Sequence, residues 1–156
     1  MTKELITVKE LEEIKLAGIT CKGELGNCDS YYEKLLNWAK ENNLTQSPNF
    51  KLITIYHDNV QMTAPSEVRW SVCTPIDNNY DTQGYIKTLF IQKGKYAVGH
   101  FEITEDLFQQ SWNKVVDWIR DNNYEFGTQE SFEVYYNNNK THPEKKFIVD
   151  LVIPIK

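Results

Sequence analysis

The stretch LLNWAKENN, residues 35–43, decides the fold, because it returns as VVDWIRDNN at residues 115–123. Both copies, together with the aromatic residue three positions before each, place apolar side chains at the i, i+3, i+4 and i+7 spacing of a helix with one buried face. The segment ITIYH at 53–57 matches FEVYY at 132–136 at nearly the same spacing. The chain is therefore an internal duplication with a period of about 80 residues.

The periodicity of the apolar residues predicts the same order of elements in each half, namely strand, helix, strand, strand. The first half contains a predicted strand with a bulge near Gly18, then one helix and two further strands, over residues 10–20, 31–41, 50–56 and 68–74. In the second half, residues 89–92 and 96–102 read as strand with a glycine turn at Gly94, a helix begins after Thr104, and two further strands cover residues 131–136 and 147–155. A period this long favours two half-domains packed about a pseudo-two-fold axis over the linear array of a solenoid.

The duplication predicts an α+β fold in a single domain over residues 1–156. The half-repeats run from about 8 to 76 and from about 86 to 156. The segment 77–85 is poor in apolar residues and rich in turn-forming Asp and Asn, so it is the predicted linker.

The composition excludes several classes of protein. A chain of 156 residues with 40% hydrophobic and 13% aromatic residues is long enough and apolar enough to bury a core. No apolar run approaches the roughly 18 residues of a membrane span, and the first residues lack a secretory pattern, so we expect a cytoplasmic protein without membrane contact. The net charge of −5 and the lack of a cluster of basic residues argue against direct binding to nucleic acid.

The cysteines and histidines do not predict a metal site or a disulfide framework. The three cysteines are odd in number and lack CxxC spacing, and the three histidines stand singly: Cys21, Cys28, Cys73, His57, His100 and His142. We therefore expect no metal and no cofactor.

The segment 132–136 contains the most informative single residue, Glu133. By the two-residue period of a strand, Glu133 and Tyr135 share one face, and Phe132 shares the other face with Val134. The matching position in the first half is Thr54, so the fold itself does not require a carboxylate there. A solvated surface position and an acid that meets a cationic ligand between aromatic residues are both compatible with this pattern.

The order of these motifs resembles the gyrase-inhibitor-like family. The resemblance rests on the duplication, on YAVGHFE at 96–102, on Trp112 and Trp118, on FEVYY and on the terminal VDLVIPI, and it covers essentially the whole chain. This family is the small-molecule-binding domain that also serves as the effector domain of multidrug-responsive and AraC-type transcription activators. It implies duplicated βαββ units about a pseudo-two-fold axis, which form a curved antiparallel sheet with two helices and a central ligand cleft.

The resemblance also implies a function and a set of residues. Members commonly place a glutamate in the cleft, on the strand that matches FEVYY, and Glu133 is the residue that corresponds. The implied function is multidrug sensing or sequestration, the binding of hydrophobic, often cationic or aromatic small molecules. The candidate ligand-binding residues are Glu133, Tyr135, Tyr56, Trp70, Trp112, Tyr32 and Asp150. For Tyr32 and Trp112 a purely structural place in the core is the stronger interpretation, because both lie on an apolar helix stripe.

Three points remain open from the sequence. The related transcription activators carry a DNA-binding domain on the same chain, and no residues remain for one here, so a regulatory role would need a separate partner. Some free-standing relatives are gyrase modulators, which would make gyrase a protein partner. Others are hydrolases that open cyclopropane-bearing toxins, and in that case Glu133 would be the catalytic general base.

Overall fold

The computed structural model of the protein describes residues 5–23, 28–48, 50–58, 62–82 and 84–156. Eight strands and two helices follow one another along the chain: β1 Leu5–Leu11, β2 Ile14–Lys22, α1 Cys28–Glu41, β3 Leu52–Tyr56, β4 Arg69–Pro75, β5 Lys87–Ile91, β6 Gly94–Ile103, α2 Phe108–Asp121, β7 Ser131–Tyr135 and β8 Phe147–Ile155. Short 3-10 helices lie between them at Leu44–Gln46, Pro65–Glu67, Glu105–Leu107 and Asn139–Thr141.

The chain divides into two compact units of equal construction. The amino-terminal unit spans Ile14–Ile91, and its four strands have the antiparallel order β3-β4-β2-β5 beside helix α1. The carboxy-terminal unit contains Gln92–Lys156 together with β1, and its strands have the antiparallel order β1-β6-β8-β7 beside helix α2. The predicted α+β class, with duplicated strand-helix-strand-strand units, is confirmed.

Each unit takes one edge strand from outside its own half-repeat. Strand β1 precedes the amino-terminal unit in sequence but pairs with β6, from Leu5 opposite His100 to Leu11 opposite Gly94. Strand β5 pairs back onto β2, from Ile14 opposite Ile91 to Gly18 opposite Lys87. The prediction of one strand over residues 10–20 is wrong, because the chain leaves β1 at Leu11 and starts β2 at Ile14 without a Gly or Pro to mark the break.

Gly18 lies in an unbroken ladder, so the predicted bulge is also wrong. Its neighbours Ala17 and Ile19 pair in register with Thr74 and Val72 of β4. A Cβ atom at Gly18 would stand 2.7 Å from the Val72 carbonyl oxygen and 2.7 Å from the Cys73 sulfur. The glycine is needed because the neighbouring strand approaches too closely for a side chain. A glycine inside a strand pattern is compatible with a bulge and with such a close approach, and the sequence alone does not distinguish the two.

Each unit buries the apolar face of its helix against one face of its strands. In the carboxy-terminal unit the buried core is Ala97, Phe101, Ile103, Val115, Ile119, Val149, Leu151, Ile153 and Ile155. In the amino-terminal unit it is Ala17, Ile19, Cys21, Leu35, Val68, Trp70, Val72 and Ile86. Each large aliphatic side chain buried in this way contributes about 1.5 to 3 kcal/mol, so the helix stripes read from the sequence hold each unit together.

Within the described residues, no helix combines the length and the apolar character that crossing a membrane would demand.

Candidate functional site

Glu133 is a buried acid on the helix-facing side of strand β7. It lies opposite Leu151 in the β7–β8 ladder, and Leu151 belongs to the core under helix α2. Only 2% of Glu133 is exposed. The strand alternation therefore points this carboxylate into the layer between sheet and helix, and the interpretation of a solvated surface position is wrong.

Two aromatic side chains donate hydrogen bonds to this carboxylate. The indole Nε1 of Trp112, on helix α2, donates to Glu133 Oε2 at 3.2 Å. The phenol of Tyr135, two residues along β7, donates to Glu133 Oε1 at 2.9 Å. Each carboxylate oxygen thus has a donor, as a buried polar group requires, because an unsatisfied one costs roughly 1 to 3 kcal/mol.

An aromatic cluster continues from this acid. The rings of Tyr135 and Phe147 lie 5.9 Å apart at a tilt of 57°. Phe147 meets the edge of Phe108 at 5.2 Å. With Trp112, these rings give the surroundings of Glu133 flat apolar surfaces with polar edges, which suits aromatic and cationic groups. Phe108 and Phe147 were not predicted as site residues, because the repeat does not distinguish their positions.

The amino-terminal unit repeats this arrangement without the charge. Thr54 on β3 is buried, and its Oγ1 is hydrogen-bonded to the phenol oxygen of Tyr32 on helix α1. Tyr32 and Trp112 are repeat-equivalent, as are Thr54 and Glu133. Both units therefore link helix to strand through the same pair of positions, and the carboxylate is the feature that only one unit has.

Tyr56 and Trp70 also belong to the amino-terminal unit. They face each other across the β3–β4 ladder. Trp70 is fully buried, donates through Nε1 to the Gly23 carbonyl oxygen at 3.4 Å, and meets Tyr31 edge-on at 5.8 Å. Trp70 is thus a core residue of its unit, and Tyr56 packs against the same core from a partly buried position.

Asp150 lies on the face of the carboxy-terminal unit opposite to Glu133. In the ladder it pairs with Val134, the residue next to Glu133, so the alternation of β7 and β8 separates the two acids. Its oxygens contact His100 Nδ1 at 2.7 Å and the Tyr136 hydroxyl at 2.6 Å. Asp150 was a predicted site residue whose face the sequence left open, and His100 and Tyr136 were not predicted. The repeat-equivalent residues of His100, Asp150 and Tyr136 are Thr20, Ser71 and His57, so the three positions are polar in both halves, which is a signal that could have identified the group.

A metal site would need several clustered ligands. Throughout the described ranges, no group of three or more His, Cys, Asp and Glu side chains is placed to hold a metal ion.

Known proteins share this sequence pattern and this fold. The family model for the GyrI-like small molecule binding domain matches residues 5–156. The "SPbeta prophage-derived putative transcriptional regulator YosT" of Bacillus subtilis (strain 168) is 24% identical over 119 residues, which cover 75% of this chain and 78% of YosT.

Two solved structures extend the comparison at the level of the fold. The EcmrR C-terminal domain superposes with a TM-score of 0.74 at 16% identity, covering 98% of each chain. SAV2435, whose structure was solved bound to tetraphenylphosphonium, superposes with a TM-score of 0.66 at 16% identity and covers 97% of this chain and 95% of its own. At identities of 16%, these superpositions establish a shared fold alone.

Proposed function

Because the chain belongs to the GyrI-like small-molecule-binding domain family, we propose that it binds hydrophobic, often cationic or aromatic small molecules at Glu133. One observation carries the proposal: a carboxylate that is 2% exposed accepts hydrogen bonds from Trp112 and Tyr135, at a position where the other unit has Thr54. The resulting role is sensing or sequestration of such molecules.

The chemistry of the site favours a flat or bulky organic cation. A buried carboxylate is expensive to desolvate, and a cation that shares its site offsets that cost. The rings of Trp112, Tyr135 and Phe147 offer faces that attract a positive charge and edges that pack on apolar groups. Since Glu133 is almost fully buried, a ligand has to displace the side chains around it to reach the carboxylate. The aromatic rings that this movement uncovers then form the surface that contacts the ligand.

The comparisons support this choice of ligand class. SAV2435, which has the same fold, was solved with the lipophilic cation tetraphenylphosphonium. YosT is described as a putative transcriptional regulator, and EcmrR was solved in a complex with DNA, so a sensing role connected with transcription is one form that the proposed binding can take.

The test is a titration that separates charge from shape. The purified chain is titrated with tetraphenylphosphonium and with the neutral triphenylphosphine oxide, for wild type, Glu133→Gln and the repeat-equivalent control Thr54→Ser. We expect Glu133→Gln to weaken binding of the cation by about 10- to 100-fold, a loss of about 1.4 to 3 kcal/mol, and to leave the neutral compound unchanged. Equal affinities of wild type and Glu133→Gln for both compounds would refute the role of Glu133.

The same pair of side chains favours hydrolysis as a second candidate function. The Tyr135 hydroxyl contacts Glu133 at 2.9 Å, so an acid that orients water and a phenol that polarises an electrophile are already side by side. Product analysis after incubation with a cyclopropane-bearing alkylator tests this function, with Tyr135→Phe as the variant that lacks the phenol. Tight binding of an alkylator that stays intact would leave binding as the function.

A further inference from the structure

His100, Asp150 and Tyr136 form a hydrogen-bonded group on the face of the carboxy-terminal unit opposite to Glu133. His100 Nδ1 and Asp150 Oδ1 are 2.7 Å apart, and the Tyr136 hydroxyl donates to Asp150 Oδ2 at 2.6 Å. Asp150 is 9% exposed, whereas the side chain of His100 is about half exposed. A carboxylate only accepts hydrogen bonds, so Nδ1 of His100 carries the proton of this pair, and in the neutral form of the ring Nε2 is an acceptor.

Tyr136 fixes the second oxygen of the same carboxylate. Burial, and then the hydrogen bond to Asp150, raise the pKa of Tyr136 above its usual range, so the phenol keeps the proton that it donates. Asp150 is therefore anchored through both oxygens, and its orientation sets the orientation of the His100 ring.

In the other two histidines, the ring nitrogen that contacts a side chain is Nε2 and not Nδ1 as in His100. His57 Nε2 is 2.6 Å from Ser71 Oγ. His142 Nε2 is 3.4 Å from Glu102 Oε1. His100 Nε2, by contrast, makes no hydrogen bond within the part of the chain that the structure describes. Of the three rings, His100 combines a carboxylate on Nδ1 with a side chain that is about half exposed.

The duplication shows that packing does not demand this group. The repeat-equivalent positions of the amino-terminal unit hold Thr20, Ser71 and His57, which are joined by contacts of 2.8 Å and 2.6 Å around the Ser71 hydroxyl. The same three strand positions are thus linked through a serine hydroxyl in one unit and through a carboxylate in the other.

We propose that Asp150 and His100 form a general-base dyad that hydrolyses small carboxylic esters at the surface of the carboxy-terminal unit. A carboxylate that orients an imidazole through Nδ1 and leaves the second ring nitrogen for a nucleophile is the geometry in which histidine accepts a proton, and the half-exposed ring of His100 allows a small molecule to reach it. His100 is the catalytic residue, and Asp150 and Tyr136 are positioning residues.

The residues around His100 offer a place for an apolar ester. Leu5 lies directly opposite His100 in the β1–β6 ladder and is 61% exposed. The Tyr136 ring stands 5.9 Å from the His100 ring at a tilt of 59°. An acyl or aromatic group can therefore pack between Leu5 and Tyr136 while its carbonyl carbon faces water held by His100.

The reaction needs only water as a co-reactant. His100 Nε2 takes a proton from water as the water oxygen bonds to the carbonyl carbon. The tetrahedral adduct then collapses, the bond to the leaving oxygen breaks with its electron pair, and the proton on Nε2 is released to the alcohol or to solvent. Carboxylate and alcohol are the products, and Asp150 stays a hydrogen-bond acceptor throughout.

The test uses 4-nitrophenyl acetate with the full-length chain. We expect His100→Gln to lower kcat/KM at least about 10-fold, because general-base catalysis by a positioned side chain contributes roughly 10²- to 10⁴-fold. His57→Gln, which removes an imidazole from the other unit, is the matched control and should stay within about twofold of wild type. Asp150→Asn should lower kcat and leave KM unchanged, and wild type should show a solvent deuterium isotope effect.

Two outcomes would overturn the proposal. One is a rate for His100→Gln within twofold of wild type, and the other is an equal loss in His57→Gln. His100 is half exposed and Gln can still donate to Asp150, so the His100 variant decides the question even if Asp150→Asn fails to fold. The binding of tetraphenylphosphonium at Glu133 is measured separately and can fail without affecting this result.

Discussion

Strands β3 and β7 make the same connection to a helix with different chemistry. On β3 a neutral threonine, Thr54, is bonded to the Tyr32 phenol, whereas on β7 the acid Glu133 accepts from the Trp112 indole and from Tyr135. Both sites are buried, and both lie beside the core of their unit. The hydrogen-bonded link between helix and strand therefore belongs to the fold, while the charge of Glu133 is an addition that calls for a functional reason.

The largest effect is expected from moving the charge to the unit that lacks it. Thr54→Glu should destabilise the protein by about 3 to 5 kcal/mol, because it buries an unpaired carboxylate in a space that holds a threonine. Urea unfolding followed by circular dichroism measures the change. The control Thr54→Gln adds the same bulk without the charge, and a loss as large as that of Thr54→Glu would show that size alone is responsible.

A smaller loss is expected from removing the indole donor on the acidic side. Trp112→Phe should cost about 1 to 3 kcal/mol of unfolding free energy, since Glu133 Oε2 loses the hydrogen bond from Trp112 inside the core. Trp118→Phe is the matched control, because Trp118 lies on the same helix and stacks on Tyr124. Equal losses in both variants would mean that bulk and not the hydrogen bond is measured.

The hydrogen bond between the uncharged Tyr32 and Thr54 should contribute less stability than the bond from Trp112 to Glu133. Tyr32→Phe removes the bond to Thr54 and should cost about 1 kcal/mol, as expected for a hydrogen bond between two uncharged groups. Denaturant unfolding of this variant beside Trp112→Phe measures the two links on one scale. A loss for Tyr32→Phe that matches or exceeds that for Trp112→Phe would contradict the distinction drawn between the units.

The smallest effect concerns the opposite face of the carboxy-terminal unit. The pKa of Tyr136 is raised in the folded state, so the folded protein keeps a proton that the unfolded chain releases near pH 10. The stabilisation is complete below that pH and is lost as the pH rises above it. Tyr136→Phe should therefore lose less stability than wild type between about pH 9.5 and 11, as thermal melts at several pH values would show. Parallel losses in the two proteins would refute this.

Much of the fold was predictable from two periodicities. The repeat of residues 35–43 at 115–123 predicted two equal units, and the confirmed resemblance to the gyrase-inhibitor-like family rests on the same order of motifs. Helix α2 and strand β8 lie where the apolar spacing predicted them. Such patterns are reliable because each helix stripe and each strand face has to be buried within its own unit.

The pairing of the edge strands was not predictable in the same way. Strands β1 and β2 are separated only by Glu12 and Glu13, and nothing in these residues indicates that β1 pairs with β6 and belongs to the carboxy-terminal unit. Strand pairing over such a distance is decided by which edge is open in three dimensions. The residues of β1 and β2 therefore do not indicate which strand β1 pairs with.

From the sequence it follows that Glu133 is an acid in an apolar strand and that its duplicate, Thr54, carries no charge. The place of this carboxylate under helix α2 against Trp112, and that of Asp150 on the other face with His100 and Tyr136, follow from the tertiary fold. This is because residue spacing fixes the face of a side chain only relative to its neighbours on the same strand. Which of the two faces receives the helix depends on how the strands assemble.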